Sequence, residues 1–152
     1  MTPYEIEFAT VEEIALILDS WCAGQASQPH QLVDAELFKV EMRARVMRLI
    51  AAQKCAVARA TEPDASGRRE VLAWICYGWD KNVQSPIAHY LYVKGAHRRQ
   101  GIARALLLNA AGVTGEASWF FTHTTPRAGK LASKRGGFFN PFLLDFAPGA
   151  LK

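Results

Sequence analysis

Lys94 to Gly112 read "KGAHRRQGIARALLLNAAG". Arg98, Arg99, Gln100 and Gly101 come first, and an apolar run follows that ends at Gly112. The spacing predicts a helix from about Gln100 to Ala111, closed by glycine. "IAHYLYV" (Ile87 to Val93) precedes it and reads as a strand, with aromatic and branched residues between loop signals. "ASWFFTHTT" (Ala117 to Thr125) follows and reads as another. Strand, helix and strand make a β-α-β crossover, which places its two strands parallel and adjacent.

The first turn of that helix carries the chemistry. A helix begins with backbone N–H groups that have no partner inside it, and the peptide dipoles add partial positive charge there. An anion fits such a place if it can approach the backbone closely. Gly101 and Ala103 keep the approach clear, and Arg98, Arg99 and Arg104 add full charges around it. Without an anion those arginines oppose the dipole, by up to about 1 kcal/mol each. The turn therefore reads as a diphosphate clasp. No G-x-x-x-x-G-K-[ST] segment is present, and no G-x-G-x-x-G follows the first strand, which argues against a nucleoside-triphosphate loop and a dinucleotide fold.

Working outward, "YEIEF" (Tyr4 to Phe8) alternates as a strand does. Thr10 and Glu13 have capping-box spacing, and Ile14, Ile17, Leu18 and Trp21 then share one helical face. "CAGQASQPHQLV" reads as a loop. Asp34 caps a second helix, "AELFKVEMRARVMRLIAAQ", whose expected buried stripe is Leu37, Val40, Ala44, Met47 and Ala51, with Lys39, Arg43, Arg45 and Arg48 in solvent. "CAVARAT" (Cys55 to Thr61) and "EVLAWICYGW" (Glu70 to Trp79) form a hairpin. "RAGKLASKR" after Pro126 reads as a last helix and "FFNPFLLDF" as a last strand. The expectation is one α/β domain over residues 1 to 152, a mixed, mostly antiparallel sheet of about six strands with flanking helices.

The chain has 152 residues, 50% hydrophobic and 21% charged, which suits a globular core and not a disordered segment. No apolar run reaches the roughly 18 residues of a membrane span. The acidic start "MTPYEIEFATVEE" does not resemble an export signal. A cytoplasmic protein is expected. Cys22, Cys55 and Cys76 are far apart in sequence, form no metal-ligand spacing, and read as reduced, buried small hydrophobes. A net charge of +4 fits a phosphate-bearing partner, whether cofactor or nucleic acid.

"YLYVKGAHRRQGIARALL" closely resembles the acetyl-CoA signature of the GNAT N-acetyltransferase superfamily. Its pattern [QR]-x-x-G-x-[GA] is met by Arg98, Arg99, Gln100, Gly101, Ile102 and Ala103, and "ASKRGGFF" (Ala132 to Phe139) resembles the family's last helix and following Gly-Phe. The resemblance implies a GNAT-like fold and an enzyme that moves an acetyl group from acetyl-CoA to a primary amine, without a metal. It implies that the amides of Arg99, Gln100, Gly101, Ile102, Ala103 and Arg104 hold the pyrophosphate. It implies that the backbone of Leu91, Tyr92 and Val93 pairs with the pantetheine arm, with the Val93 N–H on the thioester oxygen. The strand "ASWFFTHT" should diverge to make room.

The chain departs from the family at the chemistry. Alignment on Gly137 and Phe138 puts Ser133 where the family has a tyrosine acid, and "IAHYLYV" has no carboxylate base. His89 is the group there with a pKa near neutrality, placed by strand alternation on the face of Leu91 and Val93. The catalytic candidates are His89, Tyr92 and Ser133. Trp21, His30, Trp79, His123 and Thr124, with Gln25, Phe38, Phe139 and Phe142, are candidates for an aromatic-rich acceptor site, completed by a second subunit if the protein is a homodimer. Two other functions compete: a GNAT-fold acyl-CoA-binding protein with little transfer activity, and a nucleic-acid-modifying or binding protein that uses the basic residues of the second helix.

Overall fold

The computed structural model describes residues 2–26, 34–80, 85–112, 120–121 and 138–139. Among the described residues, six strands form one sheet in chain order: β1 (Tyr4–Phe8), β2 (Cys55–Pro63), β3 (Arg69–Asp80), β4 (Ser85–Val93), β5 (Phe120–Phe121) and β6 (Phe138–Phe139). The first four pair antiparallel; β5 pairs parallel with β4, and β6 parallel with β5. Helix α1 (Ile14–Ala26) and helix α2 (Ala35–Ala51) connect β1 to β2, and helix α3 (Ile102–Ala111) makes the crossover from β4 to β5. The expected crossover and mixed sheet are both present.

Local chemistry explains the starts and stops. Thr10 accepts from the Glu12 amide, and Glu13 reaches back to the Thr10 amide at 2.7 Å, closing a capping box around the 3-10 turn Val11–Glu13 that leads into α1. Asp34 accepts from the amides of Glu36 and Leu37 at 3.0 and 3.1 Å and starts α2. Replacing Asp34 by alanine orphans those donors. A loss of about 1 kcal/mol in a urea melt is expected. Gly112, at φ 66°, takes the left-handed conformation that ends α3.

The sheet is covered on both faces. α3 lays Ile102, Leu106 and Leu107 on Ala56, Ala58, Leu72, Ala73, Ile75 and Ala88; the alanines let the helix sit close. On the other face Ile17 and Trp21 of α1 and Val46 and Leu49 of α2 cover Cys55, Val57, Val71, Trp74 and Cys76. Cys55 and Cys76 stand opposite each other on β2 and β3, buried, with sulfurs 3.3 Å apart as free thiols. That hydrogen bond, with burial, holds the Cys76 pKa well above its ordinary value. No helix among the described residues is long and apolar enough to cross a membrane.

Three expectations need correction. First, α1 runs to Ala26, so Cys22 to Ala26 are helical rather than loop. Second, the buried side of α2 is Phe38, Met42, Val46, Leu49 and Ile50. The stripe expected inside is outside: Leu37, Val40 and Met47 are 55%, 63% and 49% exposed, and Ala44 and Ala51 are exposed with them. Both stripes have helical spacing, and only the orientation of the helix on the sheet separates them. Third, strand alternation fails inside β4. Cys76 faces Tyr90 and Tyr77 faces Ala88, so His89 is an extra, unpaired residue, a β-bulge. The bulge shifts the alternation by one. Ala88, Leu91 and Val93 face α3, while Tyr90 and Tyr92 face α1 and α2.

Candidate functional site

After β4 the chain makes a 3-10 turn at Gly95–His97 and then reverses direction before α3. Arg99 has φ 65° and Gly101 φ 81°, so two left-handed residues flank Gln100. Nothing lies within 4 Å of a Cβ built at Gly101; its backbone conformation requires the glycine, not a lack of space within the chain. His97 and Arg98 donate back into the 3-10 turn and Ala105 donates to Gly101. Between them the amides of residues 99 to 104 donate to no carbonyl of another described residue. Amides without a partner among the described residues, at a helix start bent by left-handed residues, have the geometry that suits an anion. The Gln100 side chain turns away, bridging the Thr2 amide and the Ala96 carbonyl at 3.4 Å each.

The edge of β4 leads into this turn. The Lys94 amide donates to Leu72 on β3. Donors alternate in an antiparallel pair, so the amides of Leu91 and Val93 point to the opposite edge. There, β5 pairs only with Ile87 and Ala88 among the described residues. The Val93 carbonyl on that edge accepts from the Arg98 Nε at 3.0 Å, and the guanidinium lies 5.9 Å from the centre of the Tyr92 ring. Arg98 is therefore tied to strand and ring, while Arg99 and Arg104 remain exposed.

On the α1 and α2 side, the bulge turns β4 side chains toward an aromatic ladder. Trp21 stacks on Tyr90 at 4.8 Å, Tyr90 lies beside Tyr92 at 6.4 Å, and Tyr92 stacks on Trp74 at 4.8 Å. Burial pushes the Tyr90 pKa up to about 12, against a hydrogen bond with Ser20. Tyr90 thus keeps its proton at neutral pH. Trp21 is a buried packing residue and not an open wall, whereas Trp79 is exposed at the end of β3.

His89 is buried, and its Nδ1 lies 3.1 Å from the Arg45 Nη2. Arginine only donates, so Nδ1 accepts and the imidazole proton sits on Nε2. In this pairing the Nδ1 lone pair is engaged by Arg45. Arg45, expected in solvent, is half-buried on the core side of α2. The sequence signal that could have found it is its spacing with Phe38, Met42 and Leu49. His30, His123, Thr124 and Ser133 lie outside the described residues, as do the expected last helix and Phe142.

No family model matches the chain, and no curated protein matches it in sequence. Solved structures do match. A GCN5-related N-acetyltransferase from Ralstonia eutropha superposes with a TM-score of 0.63 at 17% identity, covering 97% of this chain and 100% of the other. The chain has the GNAT fold. A "predicted acetyltransferase with acetyl-CoA" from Clostridium acetobutylicum shares it with a TM-score of 0.56 at 15% identity, covering 97% and 96%. In this chain the fold brings the amides of residues 99 to 104, the edge of β4 beyond Ala88 and the Tyr90–Tyr92 ladder to one end of the sheet.

Proposed function

We propose that the protein is an acetyltransferase that moves the acetyl group of acetyl-CoA to a primary amine. The observation that carries this reading is the run of amides from residue 99 to 104 that have no partner among the described residues, held by left-handed backbone at Arg99 and Gly101 and flanked by exposed arginines. A pyrophosphate supplies the acceptors those donors lack and relieves the arginine charge at the helix start. The likeness to solved acetyltransferases supports the same reading.

The pantetheine arm lies along the edge of β4 that has no partner beyond Ala88 among the described residues, and pairs with the backbone of Leu91 and Val93. The Val93 amide donates to the thioester oxygen. The neutral amine attacks the carbonyl carbon, a C–N bond forms, and the electron pair moves to that oxygen, where the same donor is most effective. The C–S bond then breaks, the nitrogen loses a proton to solvent, and the departing thiolate takes one from the protein. Tyr92, beside Val93 and under the Arg98 guanidinium, is the proposed donor. His89 contributes a proton-bearing Nε2 rather than a base. Holding two substrates together supplies most of the acceleration.

Calorimetry with acetyl-CoA tests the binding half; no heat would remove the proposal. Release of free CoA with a panel of amines tests the transfer half. Binding without release would make the protein an acyl-CoA binder. Tyr92→Phe is expected to lower kcat about 10²-fold with acetyl-CoA affinity retained. An unchanged kcat would remove Tyr92 as the acid.

A further inference from the structure

Arg98, Arg99 and Arg104 are all exposed, but Arg98 also reaches back to β4. Its Nε donates to the Val93 carbonyl at 3.0 Å, and its guanidinium lies 5.9 Å from the centre of the Tyr92 ring. The backbone beneath that reach is anchored. The Lys94 amide donates to Leu72 at 3.0 Å, the His97 amide to Lys94 at 3.0 Å and the Arg98 amide to Gly95 at 3.4 Å. Trp74 and Tyr90 hold the Tyr92 ring within the aromatic ladder, and Arg98 ties it to the turn. Such a tie has a geometric use. Tyr92 and Val93 adjoin in the chain, yet Tyr92 faces α1 and α2 while Val93 faces α3. Strand alternation therefore does not fix the Tyr92 hydroxyl relative to a thioester seated on the Val93 amide. Arg98 touches both residues with one planar group.

We propose that Arg98 is a positioning residue for acetyl transfer, which pins the Tyr92 ring to the Val93 end of β4, and not a ligand of the pyrophosphate. This role rests on the reading of Tyr92 as the proton donor. The proposed cofactor seat is the run of amides from residue 99 to 104, and Arg98 is the residue before it. One side chain thus sets the spacing between the seat and the acid. As the thiolate leaves, the Tyr92 O–H bond breaks and an S–H bond forms; the phenolate then takes a proton back from solvent. That transfer needs the hydroxyl within about 2.6–3.2 Å of the sulfur, and a displacement of about 1 Å costs about 10²-fold in rate. An arginine that served the phosphates would instead leave Tyr92 and Val93 for the anion.

The test separates rate from affinity. Release of free CoA from acetyl-CoA gives kcat, with water and with the fastest amine of the panel as acceptors, and calorimetry gives the Kd for acetyl-CoA. Arg98→Met keeps an unbranched stem and loses both contacts. It is expected to lower kcat about 10-fold and to change Kd by less than about 3-fold. In a Tyr92→Phe background the same change should cost nothing further, because the hydroxyl that Arg98 positions is gone. A merely structural role would lower kcat equally in both backgrounds. Arg98 is exposed, so Tm should stay within about 2 °C of wild type. A Kd raised about 10-fold or more with kcat retained makes Arg98 a phosphate ligand and overturns the proposal. An equal loss of kcat in both backgrounds overturns it as well. If Tyr92→Phe loses activity and Arg98→Met does not, the positioning role fails alone and Tyr92 remains the acid. Wild-type kcat in Tyr92→Phe removes the acid, and the positioning role goes with it.

Discussion

Gly101→Glu is expected to abolish measurable acetyl-CoA binding, a loss of more than about 100-fold, while the protein stays folded. Two effects combine at this residue. Its φ of 81° is open to glycine but costs another residue about 1–2 kcal/mol. The added carboxylate would also stand where the proposed pyrophosphate lies. Like charges about 4 Å apart near a surface repel by roughly 4 kcal/mol. Among the described residues nothing lies within 4 Å of the new Cβ, so there is no clash there to absorb. Gly101→Ala separates the two effects. It carries the backbone cost without the charge and should weaken binding far less. Calorimetry gives affinity and a thermal melt gives folding. Wild-type affinity in Gly101→Glu would move the pyrophosphate elsewhere, and with it the proposed function.

Arg59→Met is expected to give the largest loss of stability, about 3 kcal/mol, or roughly 10 °C in Tm for a chain of this size. Arg59 donates to Glu13 at 2.8 Å, to Glu7 at 3.2 Å and to the Arg69 carbonyl at 3.3 Å. It ties β2 to β1, to β3 and to the start of α1. The side chain of Glu13 is 6% exposed, so removing the arginine strands a buried carboxylate whose other partner is Thr10. Glu13→Gln added to Arg59→Met should recover part of the loss, because the stranded charge is gone.

The same pair predicts a pH dependence. Burial alone would raise the Glu13 pKa, but the hydrogen bonds from Arg59 and Thr10 outweigh it and leave the group below its ordinary value. A carboxylate with a depressed folded pKa adds stability above the unfolded value of about 4.3 and loses it as pH falls through the folded one. Arg59→Met removes the main cause of the depression while burial remains, so Glu13 should then protonate more readily in the folded state. The difference between wild type and variant should therefore shrink as pH is lowered from 7 toward 4. A constant difference would show that Glu13 does not carry the effect.

Much of this protein is written in short-range chemistry. The Thr10–Glu13 box, the Asp34 cap and the Gly112 stop were legible because each depends on residues within one turn of each other. The turn at Arg98 to Ala103 was legible for the same reason: a glycine, a small residue and clustered arginines between a strand and an apolar helix leave few alternatives. The crossover followed from element order, because two parallel neighbours need a long connection. The acceptor residues His30, His123 and Thr124 had no comparable local signature.

Sequence alone established the turn between β4 and α3, the helix caps and the order of strands, since backbone needs there are met by near neighbours. Tertiary packing alone decided which face of α2 is inside and where β4 gains its extra residue. Helix periodicity marks two opposite apolar stripes on α2 equally well, and the sheet chooses one. Strand alternation counts residues without seeing that Cys76 pairs with Tyr90 while Tyr77 pairs with Ala88. That single slip carries His89 across the sheet to Arg45, and neither residue's neighbours in the chain record it.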